Sequence, residues 1–500
     1  MSFKEIKELR ANGKLQEALA LALHNYSTDN NNIWNLRALS WVYYDYLKSN
    51  AEPLNKDGFL EYLTKIAELE LPADEVMFFE TVTWPISSVI RMMANEQPVN
   101  YNFILQIFNI IKDYQFAKPS KTYTVLLGAL HKAFKDSRDY LDIIDWWGLK
   151  NLLPEDYKET TFNNRNIMAL AEQVYIAYAK ALLMQSNPNR AYMDYDAYLH
   201  KVQQFMPKLD KIISDNPSYV YPSFFKAKLL LAQGSSEVMQ TFIPFAKQKK
   251  NDFWVWQLMA EIYKDEPDIV FSCYCKALSL RTPDEFLVRI RQLFADLLVG
   301  KQLFAEAKTE IEAIVKVKNQ SGAKLPNQII AWQNTSWYKD THALKNNVAL
   351  YQKHQNKATD LLFKHDPEEL IVVEFVNSEK RIVNFIKDKT KSGFFKYDFT
   401  LKNPKIGELY QVRMQHIKES MYKLLTARKD HTSMSEVLKI VSGIIRVSPA
   451  GFGFVDDVFV DKSFINHHNI KDGSNIQLKS ILSFNKKKSS WGWRAIDVVV

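Results

Sequence analysis

The sequence has few of the residues that stabilise small secreted or fibrous proteins. Its 500 residues include 2 cysteines and 14 glycines, too few for a disulfide framework or a collagen-like repeat. No run of about 18 uncharged apolar residues occurs, so no membrane span is predicted, and the first residues show no secretory leader. We therefore expect a soluble cytoplasmic protein of two to four domains.

The sequence also lacks the short motifs of common catalytic sites. GxxxxGK[ST], the dinucleotide-binding glycine pattern, HExxH and GxSxG are all missing. Cys273 and Cys275 have no further Cys or His at metal-ligand spacing, so packing explains them better. We predict no catalytic residue, no metal site, no cofactor and no small-molecule substrate. A nuclease or toxin with an unrecognised active site is kept as an alternative.

Positive charge is concentrated in the last quarter of the chain. Residues 366 to 500 contain 22 Lys and Arg against 16 Asp and Glu, whereas the whole chain has a net charge of +8. This asymmetry favours a polyanionic partner for the C-terminal region, although a charge of this size is also common on surfaces that are merely soluble.

Residues 1 to 365 are predicted to form one helix after another, because apolar positions recur there at spacings of three and four. A pattern of large, medium, small and large side chains at offsets 0, 3, 4 and 7 occurs twice. The small residue allows a second helix to approach closely, which predicts helical hairpins. The two sets are Trp34, Arg37, Ala38 and Trp41, and Trp256, Met259, Ala260 and Tyr263.

The helical hairpins recur at a regular interval. Tyr219, Phe253 and Phe286 each begin a segment, and they are 34 and 33 residues apart. This period, with two helices in each unit, resembles tetratricopeptide repeats. The resemblance implies a solenoid of stacked hairpins with a surface that binds a protein partner. The number of repeats and the oligomeric state stay open, and a last single helix is predicted from Gln328 to Phe363.

From Asp366 onward, short β-branched and alternating runs replace the helical pattern, so β-strands are predicted. In the segments Gly451 to Val455 and Val458 to Val460, period two sends Phe452, Phe454 and Phe459 to one side and the valines to the other. The phenylalanines either fill a core or form an exposed surface for flat ligands. Exposure is favoured, and nucleobases stack on such rings.

Residues 443 to 500 follow the order and spacing of a cold-shock domain, a five-stranded OB-fold barrel. This resemblance implies that Phe452, Phe454 and Phe459 stack the bases of single-stranded RNA or DNA. The chain departs from the family pattern at several positions that border the rings. These positions are Val447, Ala450, Asp461 and Lys462.

Further contacts are predicted around the same barrel. A loop before the last strand carries lysines that could meet phosphates and tryptophans that could stack, and Arg446 and Lys462 are additional phosphate contacts. A solvated turn and a tryptophan that closes the barrel are the alternatives. The loop residues are Lys486, Lys487, Lys488, Trp491 and Trp493.

Residues 366 to 415 are interpreted as a degenerate module of the same kind. Ile382 to Ile386 resembles a first strand, and Phe394, Lys396 and Tyr397 lie where the first aromatic motif would be. The second motif is missing, so a structural spacer is an equal alternative. Residues 416 to 434 are predicted to form a helical linker, and residues 435 to 500 the second barrel.

The sequence therefore predicts a multidomain protein, an all-α tetratricopeptide-like solenoid followed by all-β OB-fold barrels. We expect a non-enzymatic adaptor whose helices hold a protein partner and whose barrel binds single-stranded RNA or DNA. The resemblance implies a bacterial protein that takes part in defence against invading genomes. The alternative is an interaction scaffold whose barrel no longer binds nucleic acid. The choice between RNA and DNA stays open.

Overall fold

The computed structural model describes residues 3–162, 165–186, 191–397, 401, 403–431, 435–485 and 489–499. The chain forms two compact units, Met1–Gln248 and Lys249–Val500. Helices make up the described chain as far as Leu362, apart from one short β-hairpin, and β-barrels follow. The predicted fold class, an all-α region followed by all-β barrels, is confirmed.

The first unit is built from helices and one short hairpin. They are α1 (Phe3–Ala11), α2 (Leu15–Thr28), α3 (Ile33–Ala51), α4 (Lys56–Glu68), α5 (Val76–Met93), α6 (Tyr101–Ile111), α7 (Lys121–Phe134), α8 (Tyr140–Trp147), β1 (Thr160–Phe162), β2 (Arg165–Ile167), α9 (Leu170–Gln185), α10 (Tyr195–Asp215), α11 (Tyr221–Ala232) and α12 (Val238–Gln248). Several of the helices start where a side chain caps the first turn, for example Ser120, which accepts from the backbone N–H of Tyr123 at the start of α7.

A buried histidine lies in the core of this first unit. His131 of α7 is 7% exposed, and its Nδ1 lies 2.7 Å from the hydroxyl of Tyr140. Burial, with a smaller contribution from Lys135, lowers the pKa of His131 to about 4. The ring is therefore neutral in the folded unit at pH 6, where an unfolded histidine is largely protonated.

This pKa makes the first unit less stable in acid. Between the unfolded value near 6.5 and about 4, the unfolded chain binds a proton that the folded chain does not, so stability falls as the pH falls through this window. We expect a loss of about 3 kcal/mol once the pH is below both values. Urea denaturation at about pH 7 and about pH 4.5 measures most of this loss, and His131→Gln, which does not titrate here, should remove this part of the pH dependence. An unchanged pH dependence in the variant would contradict the prediction.

The helices of the second unit begin with two hairpins. They are α13 (Phe253–Ile262) with α14 (Pro267–Leu278), and α15 (Asp284–Gly300) with α16 (Phe304–Ser321). Ala260 of α13, Ala277 of α14 and Ala307 of α16 are buried, as expected of small residues between packed helices.

The predicted single helix from Gln328 to Phe363 is wrong. The segment forms four short helices, α17 (Asn327–Gln333), α18 (Ser336–Asp340), α19 (Val348–His354) and α20 (Asn356–Leu362). Lys308 of α16 donates to the backbone oxygens of Tyr338 and Thr341, and Asn347 donates to the Glu310 carboxylate. These contacts hold the chain between α18 and α19 against α16 and prevent a continuous helix.

Two barrels follow these helices. The first consists of β3 (Glu368–Asn377), β4 (Ile382–Ile386), β5 (Ser392–Lys396), β6 (Leu409–Lys418) and β7 (Met421–Asp430), closed in the order β3-β4-β5-β7-β6. The second consists of β8 (Leu438–Ile444), β9 (Arg446–Val447), β10 (Gly453–Val455), β11 (Val458–Val460), α21 (Lys462–His467), β12 (Asn475–Asn485) and β13 (Ser490–Val498), with strand order β8-β12-β13-β11-β10-β9. If β8 and β9 are taken as two halves of one strand, both barrels share one five-stranded topology.

The predicted linker helix over residues 416 to 434 is also wrong. Most of this stretch is the end of β6 and all of β7, while residues 432 to 434 lie outside the described part of the chain. β7 pairs with β6 on one side and with β5 on the other. The stretch becomes a strand because only a fifth strand can pair these two edges and close the first barrel.

The two barrels contact each other through an apolar junction. Its buried residues are Val372 and Ile386 of the first barrel and Val437, Ile481 and Leu482 near or within the second. The Lys479 ammonium donates to the backbone oxygen of Gly407 at 3.1 Å across the same junction. Packing and hydrogen bonding together fix how the two barrels are placed.

Candidate nucleic-acid interface

Three phenylalanine rings form a cluster on the outside of the second barrel. β10 and β11 pair so that Phe454 lies opposite Phe459, and Phe452 precedes β10. The ring centroids of the three pairs are 5.6 to 6.1 Å apart. Phe454 is 43% exposed, whereas Phe452 and Phe459 are half-buried. We call these three rings the platform.

The opposite face of the same hairpin is the core of the barrel. Val455, Val458 and Val460 are fully buried and pack with Ile445 and Leu478. The period-two prediction for this hairpin is therefore confirmed. Burial of the valines holds the strands in a register that leaves the phenylalanines outside.

Two arginines extend the row of phenylalanines across neighbouring strands. Arg446 on β9 lies opposite Phe454, and Arg494 on β13 lies beside Phe459 in the parallel pairing. Residues in register share one face of a sheet. These four side chains therefore form one row across the strands, in the order Arg446, Phe454, Phe459, Arg494. Such a row presents both cations and aromatic rings to a ligand.

Lys462 adds a third cation beside the platform. The aliphatic part of the Lys462 side chain lies over Gly451. A Cβ atom added at Gly451 would lie 2.9 Å from the Lys462 Cδ. Gly451 also has φ +90°, a conformation that favours glycine. Lys462 itself is exposed at the start of α21, and Gly451, over which its side chain lies, directly precedes Phe452 of the platform.

The glycine at position 453 has a different role from the predicted one. Because Gly451 and Gly453 lie on either side of Phe452, both are expected to keep the surface low so that a flat ligand can lie on the rings, but Gly453 is buried. A Cβ there would lie 2.9 Å from the backbone oxygen of Arg446. Gly453 therefore permits the close crossing of β9 and β10.

Asp461, which departs from the cold-shock pattern, has a structural role. Its carboxylate accepts hydrogen bonds from the hydroxyl of Ser463 and the N–H of Phe464, at 2.6 and 2.9 Å, and so caps α21. Burial raises the pKa of Asp461, but these hydrogen bonds and the charge of Arg494 outweigh it and lower the pKa overall. The carboxylate is thus directed at the helix start.

The predicted loop beside the platform is only partly described. Lys486, Lys487 and Lys488 lie outside the described residues. Trp491 and Trp493 are half-buried and pack against the junction between the barrels. The Lys439 ammonium lies 4.5 Å from the Trp493 ring centroid, and Phe484, 44% exposed, contacts the edge of Trp491. Neither tryptophan belongs to the platform cluster.

In the first barrel, the strands are shifted by one from their predicted roles. β3 is the first strand, so Ile382–Ile386 is the second, and β5, with Phe394 and Lys396, is the third. Phe394 and Lys396 alternate with the buried Phe395 and face outward. Tyr397 packs against the core of the barrel instead. The structure therefore separates Tyr397 from the other two predicted contacts.

Three side chains near these surfaces were not selected from the sequence. Arg494 becomes visible only through the parallel pairing of β11 and β13. Phe484 lies in a strand with no aromatic alternation. Phe375, which is 50% exposed on β3, lies in an apolar run typical of a buried strand. Only pairing and register reveal these three.

The described residues also form a cavity whose lining contains none of the platform rings. The cavity, of about 750 Å³, lies between α13, α14, α20 and the β6–β7 hairpin. Its Arg413 is paired with Asp360 at 2.7 Å and with Glu368 at 3.7 Å.

Burial raises the pKa of the Cys275 thiol to about 12. No group of three or more His, Cys, Asp or Glu in the described chain could hold a metal ion.

None of the described helices combines the length and apolar character that crossing a bilayer requires.

Three family models match parts of the chain. Residues 220–358 match a domain of unknown function (DUF7017). Residues 363–424 match S1/CSD-like domain 1 of the TOTE conflict systems, and residues 439–498 match S1/CSD-like domain 2 of the same systems. A search of curated proteins gave no match. The C-terminal region therefore consists of two tandem S1/CSD-like domains, a class of domain that binds nucleic acid, which follow a helical region in the sequence.

Proposed function

We propose that the second barrel binds an unpaired strand of RNA or DNA by stacking bases on the platform. The observation that carries the proposal is the row Arg446, Phe454, Phe459, Arg494, in which two adjacent rings lie between two cations. Each stacked base contributes about 1 to 3 kcal/mol, and every base has a face that can stack. Arg446 and Lys462 would meet the phosphates.

The match to S1/CSD-like domains supports this choice of ligand over other flat molecules. A duplex keeps its bases stacked on each other, so its faces are closed to the rings. We therefore expect tight binding to an unpaired strand and weak binding to a duplex of the same sequence.

Fluorescence anisotropy with labelled single strands of RNA and DNA, and with the matching duplexes, measures this preference. Equal binding of strand and duplex would point to charge alone. No binding of either would favour the alternative, a scaffold whose barrel has lost its ligand.

The affinity should depend on salt through the cations beside the platform. For single strands, the logarithm of the binding constant falls by about 0.7 per phosphate contact for each unit of the logarithm of salt concentration. Arg446→Ala and Lys462→Ala should each reduce this slope by about 0.7. Lys353→Ala, an exposed lysine on α19, is the matched control and should leave the slope unchanged. A slope equal to that of the wild type in both platform variants would exclude these residues as phosphate contacts.

We further propose that the protein is a non-enzymatic adaptor in a bacterial conflict system, with its tetratricopeptide-like helices holding a protein partner. The 34-residue period and the hairpins α13–α14 and α15–α16 support this part. The matches to domains of the TOTE conflict systems support the link to defence.

Two experiments test the adaptor. Crosslinking in cells should recover the same protein partner with wild type and with a variant that lacks the platform rings, before and after nuclease digestion. Loss of the partner on digestion would contradict direct binding by the helices. Incubation of labelled RNA and DNA with the purified protein and Mg²⁺ should leave both intact, and cleavage would establish the nuclease alternative.

A further inference from the structure

The first barrel exposes an aromatic ring that its sequence pattern places inside. In β3, Ile371 and Val373 face the core, so a regular strand would also turn Phe375 inward. The register shifts between Val373 and Phe375, which leaves Glu374 as an extra residue, and Val376 takes the inward position. This β-bulge turns Phe375 outward, where the ring is 50% exposed.

Phe375 heads a row of outward side chains across four strands. Phe375 lies opposite Asn384 on β4, Asn384 opposite Phe394 on β5, and Phe394 beside Met421 on β7. In the sheet these are neighbours on one face. The row therefore presents two phenylalanine rings on either side of an amide that can donate to and accept from a base edge.

Cations border this row on the side away from the junction. The next row of the sheet pairs Lys396 on β5 with Lys423 on β7. Both lysines are exposed, and neither forms an ion pair within the described part of the chain. On the other side of the row, Val372 and Ile386 are buried in the junction with the second barrel.

The row of the first barrel and the platform row occupy equivalent strands. In each barrel, the row crosses the first, second, third and fifth strands of the shared topology. The second barrel has aromatic rings on its second and third strands, and the first barrel has them on its first and third. Both barrels thus present rings with cations beside them, a composition that binds unpaired nucleic acid.

Arg494 connects the two rows. Its backbone lies beside Phe459, and its guanidinium donates to the backbone oxygen of Glu374, the residue before Phe375, at 3.4 Å. The Glu374 carboxylate accepts a hydrogen bond from the hydroxyl of Ser483 on β12 at 2.6 Å. This hydrogen bond holds the carboxylate at the junction. The end of one row is thereby joined to the start of the other.

We propose that both barrels form one continuous binding track, in which a single unpaired strand stacks on the platform, passes Arg494 and stacks again on Phe375 and Phe394. Asn384 contacts a base edge, and Lys396 and Lys423 meet phosphates. This inference rests on the proposed function, because it extends the same ligand onto the first barrel. It assigns the first barrel a binding role and makes Phe375 a stacking residue.

Binding as a function of strand length tests the track. We compare oligothymidylates of about 6 and about 20 nucleotides, since one OB-fold covers about 4 to 16. In the wild type, the longer strand should bind more tightly and at a ratio of one strand per protein. Phe375→Ala should weaken the longer strand about 5- to 150-fold, the loss of one stacked base, and Phe375→Tyr should restore it. Phe286→Ala, which removes an even more exposed phenylalanine on α15, is the control.

Three outcomes separate the inference from the proposed function. In one outcome, Phe375→Ala binds the longer strand as tightly as the wild type, and removal of the platform rings abolishes binding. This result would overturn the track but leave the proposed function of the platform in place. Two strands of about 20 nucleotides bound per protein would also overturn it, because separate sites would then be filled. An absence of binding in the wild type would overturn the proposed function and the track together.

Discussion

Replacing Phe454 and Phe459 together by alanine should weaken the binding of an unpaired strand by about 2 to 6 kcal/mol. The two rings face each other across β10 and β11 at 5.6 Å, and each would stack one base. Phe454 is 43% exposed, and the register of the hairpin is held by the buried valines on its other face. Anisotropy titration of wild type and double variant with one labelled strand measures the loss.

Three controls show whether the lost affinity comes from stacking. Phe286→Ala removes a ring that is 61% exposed on α15 and should bind like the wild type. Phe454→Tyr with Phe459→Tyr keeps both aromatic faces and should bind within a few-fold of the wild type. Circular dichroism of each variant shows whether the barrel is folded. Wild-type affinity in a folded double alanine variant would refute the platform.

Replacing Glu310 by alanine should destabilise the helices of the second unit by about 3 to 5 kcal/mol. Glu310 is fully buried and accepts from Arg291 and Asn347, each at 2.6 Å, and from the Tyr351 hydroxyl. The charge of Glu310 helps to raise the pKa of Arg291 against the effect of burial, which lowers it. Without Glu310, the guanidinium loses its buried carboxylate partner, although its ion pair with Asp284 at the surface remains.

The loss of stability in Glu310→Ala should be largest in the helices that Glu310 connects. Hydrogen exchange of peptides from α15, α16 and α19 measures the local free energy of opening. Glu312→Ala, an exposed glutamate on the same helix, should change it by less than about 0.5 kcal/mol. Glu310→Gln keeps one acceptor oxygen but replaces the other with an amide donor and removes the charge, so its effect should lie between those two. Equal exchange in Glu310→Ala and Glu312→Ala would show that the buried network does not stabilise these helices.

The fold class follows from local patterns, and these were read correctly where one face of an element is buried. The helical hairpins follow from spacings of three and four residues, and the β10–β11 hairpin from strict alternation around a two-residue turn. The errors fall where local pattern is weak. The stretch Met421–Asp430 shows no clean alternation and was predicted as helix, but it is the strand that closes the first barrel.

The residues of the candidate site also differ in how well the sequence alone predicts them. Phe452, Phe454 and Phe459 come from the sequence, because alternation alone assigns them to one face. Their action as stacking residues stays a prediction. The resemblance to the first aromatic motif groups Tyr397 with Phe394, although period two separates the two residues and Tyr397 packs against the core. Lys486, Lys487 and Lys488 stay predictions as well, since they lie outside the described residues.

By itself the sequence determined a helical region, a switch to strands near Asp366, and an aromatic face on the last barrel, because each depends on side-chain periodicity within one element. Only the tertiary structure decided that Arg494 lies beside Phe459 and that Phe375 faces outward. The first depends on a parallel pairing between distant strands, and the second on one extra residue in β3. Both are set when a barrel closes, since closure fixes strand order and register across the whole sheet.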